Sequence, residues 1–91
     1  MADVGSKVRL SCECEGRPKP LVYWSLNGTL VVTGGERVLN QREDRGYGSA
    51  VSLVLQSVLS GDFGLYECIA GNSLGEASAT ILLHREDYEN R

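Results

Sequence analysis

Polar and apolar residues alternate one for one along most of this chain, a period that fits strands and leaves no room for a helix longer than a turn. In "SKVRLSCEC" the residues Val8, Leu10, Cys12 and Cys14 fall on one face, with Lys7, Arg9, Ser11 and Glu13 on the other. Breakers punctuate the alternation. "EGRPKP" is a bend, Asn27-Gly28 tolerates the positive φ of a tight hairpin turn, and "NSLG" (residues 72–75) is a second turn. Between them lie "LVYWSL", the short pieces "LVV" and "RVL" around Gly34-Gly35, "AVSLVLQSV", "LYECIAG" and "EASATILLH". The run "QREDRGYGS" lacks alternation and reads as a loop. Seven to eight short strands with turns at this spacing predict an all-β sandwich or barrel.

The triplet Asp62-Phe63-Gly64 spells the metal-binding motif of protein kinases, but the chain contradicts that chemistry. Phosphoryl transfer by a kinase needs a glycine-rich loop, a strand lysine and a catalytic loop in that order. Here "GYGSAV" lacks the third glycine, both lysines (Lys7 and Lys19) precede it, and "HRE" follows the triplet with glutamate in place of aspartate. Ninety-one residues cannot hold the missing parts.

A structural role accounts for the triplet better. Cys12 and Trp24 lie twelve apart, Cys68 follows near the end, and Tyr66 stands two residues before Cys68. Together with Leu53, Leu55, Val58, Asp62 and Gly64, these residues resemble the immunoglobulin arrangement. That resemblance implies an all-β immunoglobulin-like sandwich: two antiparallel sheets joined by a B–F disulfide, Cys12 to Cys68, against a buried Trp24. It also implies a tyrosine corner, in which the Tyr66 hydroxyl bonds the backbone of the preceding bend. Asp62 then bonds backbone amides or an arginine at the rim, and Gly64 lets the chain turn into the next strand.

The continuation "CIAGNSLG" resembles the intermediate (I-set) pattern with its short F–G turn, and the resemblance covers residues 4 to 84. The expected organisation is an I-set domain over residues 1–84 and a charged tail or interdomain linker over 85–91. "LSCECEGRPKPLVYW", the Gly-Gly-Glu-Arg loop and "YECIAGNSLGEASATILLH" look similar to the third domain of the IgLON, lachesin and Dpr-interacting group of neuronal cell-surface adhesion proteins. In that group the first domain carries the adhesive sheet and the third often acts as a spacer.

Three cysteines leave Cys14 over once Cys12 and Cys68 pair. Cys14 points to the same interior side, as a small apolar filler or as a reactive or intermolecular thiol. A metal site is not expected: Cys12-x-Cys14 has the wrong spacer, and His84 is the only histidine. No cofactor is expected either. The disulfide implies an oxidising compartment, and Asn27-Gly28-Thr29 is an N-glycosylation sequon on an exposed turn. Both fit an extracellular, cell-surface setting. No apolar stretch reaches transmembrane length, and Met1-Ala2-Asp3 runs almost directly into the first strand without a signal peptide, as an excised fragment would.

Twelve acidic against nine basic residues give a net charge of −3, which offers no general attraction to nucleic acid or anionic membrane. No nucleophile can be placed beside His84, so neither catalysis nor a small-molecule substrate is expected. Binding is the remaining class. If Val22, Trp24, Tyr66, Cys68 and Ala70 point inward, then Leu21, Tyr23, Ser25, Leu65, Glu67, Ile69, Ser78, Thr80 and Leu82 point outward. Leu21, Tyr23, Leu65, Glu67, Ile69 and Leu82 are the candidate contacts for homophilic or heterophilic immunoglobulin-domain partners. Tyr23 is the expected anchor. The alternative is an intracellular, muscle-type I-set domain with a structural or cytoskeletal role, against which both cysteines and the sequon argue.

Overall fold

The computed structural model describes residues 3–16, 18–46 and 48–84. Among these residues seven strands follow in order: β1 (Val8–Glu15), β2 (Leu21–Leu26), β3 (Thr29–Leu30), β4 (Val38–Arg45), β5 (Gly48–Leu55), β6 (Gly64–Asn72) and β7 (Gly75–Leu83), with a 3-10 turn at Ser60–Asp62. They form two sheets, ordered β1-β5-β4 and β3-β2-β6-β7, with every pairing antiparallel.

Register follows from which residues seek the interior. On the three-stranded sheet Leu10 faces Leu53, Val8 faces Leu55 and Cys12 faces Val51. On the other sheet Trp24 lies opposite Cys68 and Val22 opposite Ala70. The two inner faces meet in one cluster of Leu10, Trp24, Val51, Leu53, Leu55, Val58, Tyr66, Cys68 and Leu83. Burying each of these large side chains contributes about 2 kcal/mol of transfer free energy. The Trp24 indole N–H meets no acceptor among the described residues, so the ring stabilises through volume and contact alone.

The disulfide joins Cys12 to Cys68 and so ties β1 of one sheet to β6 of the other. It sits beside Trp24 in the middle of the layer, where Cys68 is 1% exposed.

Two expectations about local structure need correction. The run read as a loop is most of β4, which pairs with β5 from Val38↔Leu55 to Arg45↔Gly48. Alternation fails there because β4 is an edge: its residues Asn40, Arg42 and Asp44 share a side with buried Leu53, Val51 and Ser49 yet remain exposed. Arg42 and Asp44 satisfy one another and Ser49 by hydrogen bonds, so no apolar residue is required. Conversely, "LVV" yields only Leu30 to a strand, since β3 ends there and Val31 turns its N–H back to the Trp24 carbonyl at 2.9 Å.

Candidate functional site: the outer face of the four-stranded sheet

The lower rim holds the outer face in place. Tyr66 Oη donates to the Asp62 carbonyl at 2.6 Å. The Asp62 carboxylate accepts from Arg37 Nη1 at 2.6 Å and from the Leu59 N–H at 2.8 Å. These bonds tie the bend before β6 to the segment leading into β4. Burial, and secondarily the charge of Asp62, push the Tyr66 phenol up to about 12. Gly64 follows with φ of 147°, and a Cβ there would stand 2.5 Å from the Asn27 side chain. That close approach exists because Asn27 Oδ1 accepts the Leu65 N–H at 2.9 Å, fastening the β2–β3 turn to the start of β6. Asn27 itself has φ of 50°, the left-handed conformation that asparagine tolerates better than most residues.

The upper rim is fastened by Asn72. Its Nδ2 donates to the Pro18 carbonyl and its Oδ1 accepts from the Leu74 N–H, both at 2.9 Å. One side chain therefore pins the β6–β7 turn to the β1–β2 bend, and the turn presents Leu74 at 81% exposure.

Between the rims the outer face is laid out in rows. Leu21 lies beside Gly71 and Glu76; Tyr23 beside Ile69 and Ser78; Ser25 beside Glu67 and Thr80; Leu65 beside Leu82. Leu21 is 78% exposed, Tyr23 45% and Leu82 60%, with Leu65 also exposed and Glu67 half-buried. Ile69 differs. It faces outward but is only 7% exposed, and it stands apart from the core cluster. Its neighbours Tyr23 and Ser78 flank it, so it supports the face rather than offering contact. Ser25, also expected outward, is likewise buried.

The apolar surface thus divides. At the upper end Leu21, Tyr23 and Leu74 surround a groove of about 900 Å³, with Lys19 and Glu76 on its margins. At the lower end Leu65 and Leu82 form a smaller patch, separated by the polar Ser25–Glu67–Thr80 row. Sequence reasoning missed Leu74, because turn residues carry no periodicity. It also missed Leu30, which lies beside Ser25 and is exposed.

Other chemistry is sparse. Asp44 is held well below the usual carboxylate range, first by the Ser49 hydroxyl and then by Arg42 and Lys19. A carboxylate so fully engaged at the surface is a poor general base. Among the described residues no three His, Cys, Asp or Glu side chains converge to hold a metal, and no helix is long and apolar enough to cross a membrane. Cys14, expected on the interior side as an apolar filler or as a reactive or intermolecular thiol, is half-buried at the mouth of a groove that Cys12 and Cys68 also line.

Two antiparallel sheets bridged by a disulfide against a buried tryptophan, with a tyrosine corner at the bend before β6, define an immunoglobulin-like domain. The family model of the immunoglobulin I-set domain matches residues 1–84, and the chain belongs to that family. Immunoglobulin-like domains are generally non-catalytic. Interference hedgehog of Drosophila ananassae is 40% identical over 85 residues, which cover 91% of this chain and 8% of that protein. The chain therefore spans a small fraction of the curated relatives it matches. Among solved structures, a chain of the crystal structure of Dpr2 Ig1-Ig2 in complex with DIP-Theta Ig1-Ig3 superposes with a TM-score of 0.87 at 34% identity, covering 92% of this chain and 28% of that one. Titin A168169 superposes with a TM-score of 0.82 at 30% identity, covering 93% and 42%. The resemblance to an immunoglobulin domain of adhesion-type proteins holds.

Proposed function

We propose that this chain is a non-catalytic recognition module of an extracellular adhesion or receptor protein, binding another protein domain through the outer face of β2, β6 and β7. The observation that carries the reading is the exposed Leu21–Tyr23–Leu74 cluster held by Asn72. Exposed apolar side chains on a rigid frame lose little entropy when they dock, and a tyrosine at their centre is a usual hot spot. Leu65, Glu67 and Leu82 extend the same face, with Ile69 beneath. The structure of Dpr2 in complex with DIP-Theta supports a partner that is itself an immunoglobulin domain. The cross-sheet disulfide supports an oxidising compartment, where Asn27 is a glycan acceptor beside the lower patch.

The test is a plate-binding panel of purified immunoglobulin ectodomains, this domain included, against wild type and a Leu21→Asp/Tyr23→Asp double variant. A Glu13→Lys/Gln41→Lys variant of the opposite sheet serves as control. Binding lost only in the first variant supports the reading; equal loss in both, or no binding to any ectodomain, removes it. The titin similarity favours a second reading, an intracellular load-bearing module. Protein purified from its native source then shows three reactive thiols rather than one.

A further inference from the structure

Asn27, Gly28 and Thr29 form the turn from β2 into β3, and all three are exposed. The turn carries the register of β2 one step further. Leu26 pairs with Tyr66 on the inner side, so Asn27, next along, falls on the outer side beside Leu65. Its N–H bonds the Leu65 carbonyl at 2.8 Å, as that register requires. Leu30 pairs with Ser25 and stands on the same outer side. Leu30 and Leu65 are both exposed, so two apolar side chains flank the asparagine on its own face.

The Asn27 amide is held in one orientation. Oδ1 accepts the Leu65 N–H at 2.9 Å. A Cβ at Gly64 would stand 2.5 Å from Nδ2, 2.7 Å from Oδ1 and 2.9 Å from Cγ, and three such similar distances mean that the amide lies flat against that glycine. Among the described residues Nδ2 donates no hydrogen bond, so the contact with β6 engages the oxygen and leaves the nitrogen for substitution.

We propose that Asn27 carries an N-linked oligosaccharide whose first sugar lies over Leu65, closing the lower end of the outer face and leaving protein contact to the Leu21–Tyr23–Leu74 end. The inference rests on the extracellular reading above. Attachment is a substitution by a lipid-diphosphate-linked oligosaccharide. Nδ2 bonds to C1 of the sugar, the C1–O bond breaks, the diphosphate takes the electron pair, and Nδ2 gives up one proton. The direction of the sugar follows from amide chemistry. A substituted amide is planar and trans like the backbone's, which places C1 opposite Cβ and on the same side as Oδ1. Oδ1 points at the Leu65 N–H, so C1 is carried toward β6 rather than out over the turn. The C–H face of the ring then meets the Leu65 side chain and removes apolar surface of both from water.

Two measurements test the proposal. In protein purified from its native source, the mass of the peptide holding Asn27 is taken before and after enzymatic deglycosylation, and reactive thiols are counted in the same sample. One thiol with a modified Asn27 supports the proposal. One thiol with an unmodified Asn27 overturns it and leaves the extracellular reading standing, whereas three thiols overturn both. The second measurement compares the domain secreted from eukaryotic cells and trimmed to its first sugar with the same sequence from the bacterial periplasm, which is bare. Nuclear Overhauser contacts link the sugar ring to the Leu65 methyls, and the trimmed form melts about 4 °C above the bare one. Leu65→Ser, at an exposed position, leaves the bare midpoint unchanged and erases that difference. A sugar that contacts no Leu65 methyl overturns the proposal, as does a midpoint difference that is absent or that survives Leu65→Ser.

Discussion

Removing the cross-sheet disulfide is the perturbation whose cost the structure best defines. Cys12 and Cys68 are 56 residues apart in sequence, so the bond closes most of the chain into a loop. The chain-entropy treatment of such a loop gives about 4 kcal/mol of stabilisation through the unfolded state. Cys68 is buried between Trp24 and the opposite sheet, so Cys12→Ala/Cys68→Ala also leaves a small void worth about 1 kcal/mol. The sum approaches the whole stability of a typical small domain. Equilibrium unfolding in urea, followed by the fluorescence of Trp24, is the assay. With a slope of about 1 kcal/mol per molar, the midpoint falls by several molar, and the variant is largely unfolded in about 1 M urea or less. A loss under about 1 kcal/mol at unchanged slope refutes the reasoning, because the unfolded ensemble then gains little freedom when the loop is opened.

Further expectations concern single residues. Gly64→Ala forces a side chain into the left-handed region and onto Asn27, costing about 2–3 kcal/mol in thermal or urea unfolding; Asn27→Ala in the same chain relieves part of that cost. Tyr66→Phe removes the bond to the Asp62 carbonyl and costs about 1–2 kcal/mol at neutral pH. The raised Tyr66 phenol holds its proton in the native state over a range where the unfolded phenol loses it. Its contribution, up to about 2 kcal/mol, is therefore complete below pH 10 and lost as pH rises toward 12, and Tyr66→Phe has a shallower alkaline decline in thermal midpoint. Titration of the native protein with a thiol reagent yields one equivalent per chain, abolished by Cys14→Ser; three equivalents contradict the bond between Cys12 and Cys68.

Much of this fold was legible because inward residues of central strands must be apolar. The alternation around Leu10, Trp24, Leu53 and Tyr66 marks strands whose every second side chain enters one core. β4 was not legible because an edge strand has interior-side positions that open to solvent, where Arg42 and Asp44 meet polar partners instead of a core. The outer face was legible only by parity. Counting from Trp24 and Cys68 places Tyr23 and Ile69 on the same side, but parity carries no information about cross-strand cover. Ile69 is hidden because the residues flanking it on β2 and β7 are Tyr23 and Ser78, a fact of register. Leu74 gains its position from the Asn72 bonds that fasten the turn, and a turn residue leaves no periodic trace.

Nuclear magnetic resonance mapping of the bound ¹⁵N-labelled domain tests the central claim most directly, as it reports on every backbone amide at once. The domain is titrated with the immunoglobulin ectodomain that binds it in the plate panel. The account predicts that the largest shifts gather at Leu21, Tyr23, Ile69 and Leu74 and diminish toward Leu65 and Leu82. Shifts gathered on β1, β5 and β4 instead, with the Tyr23 and Leu74 amides unmoved, would contradict it.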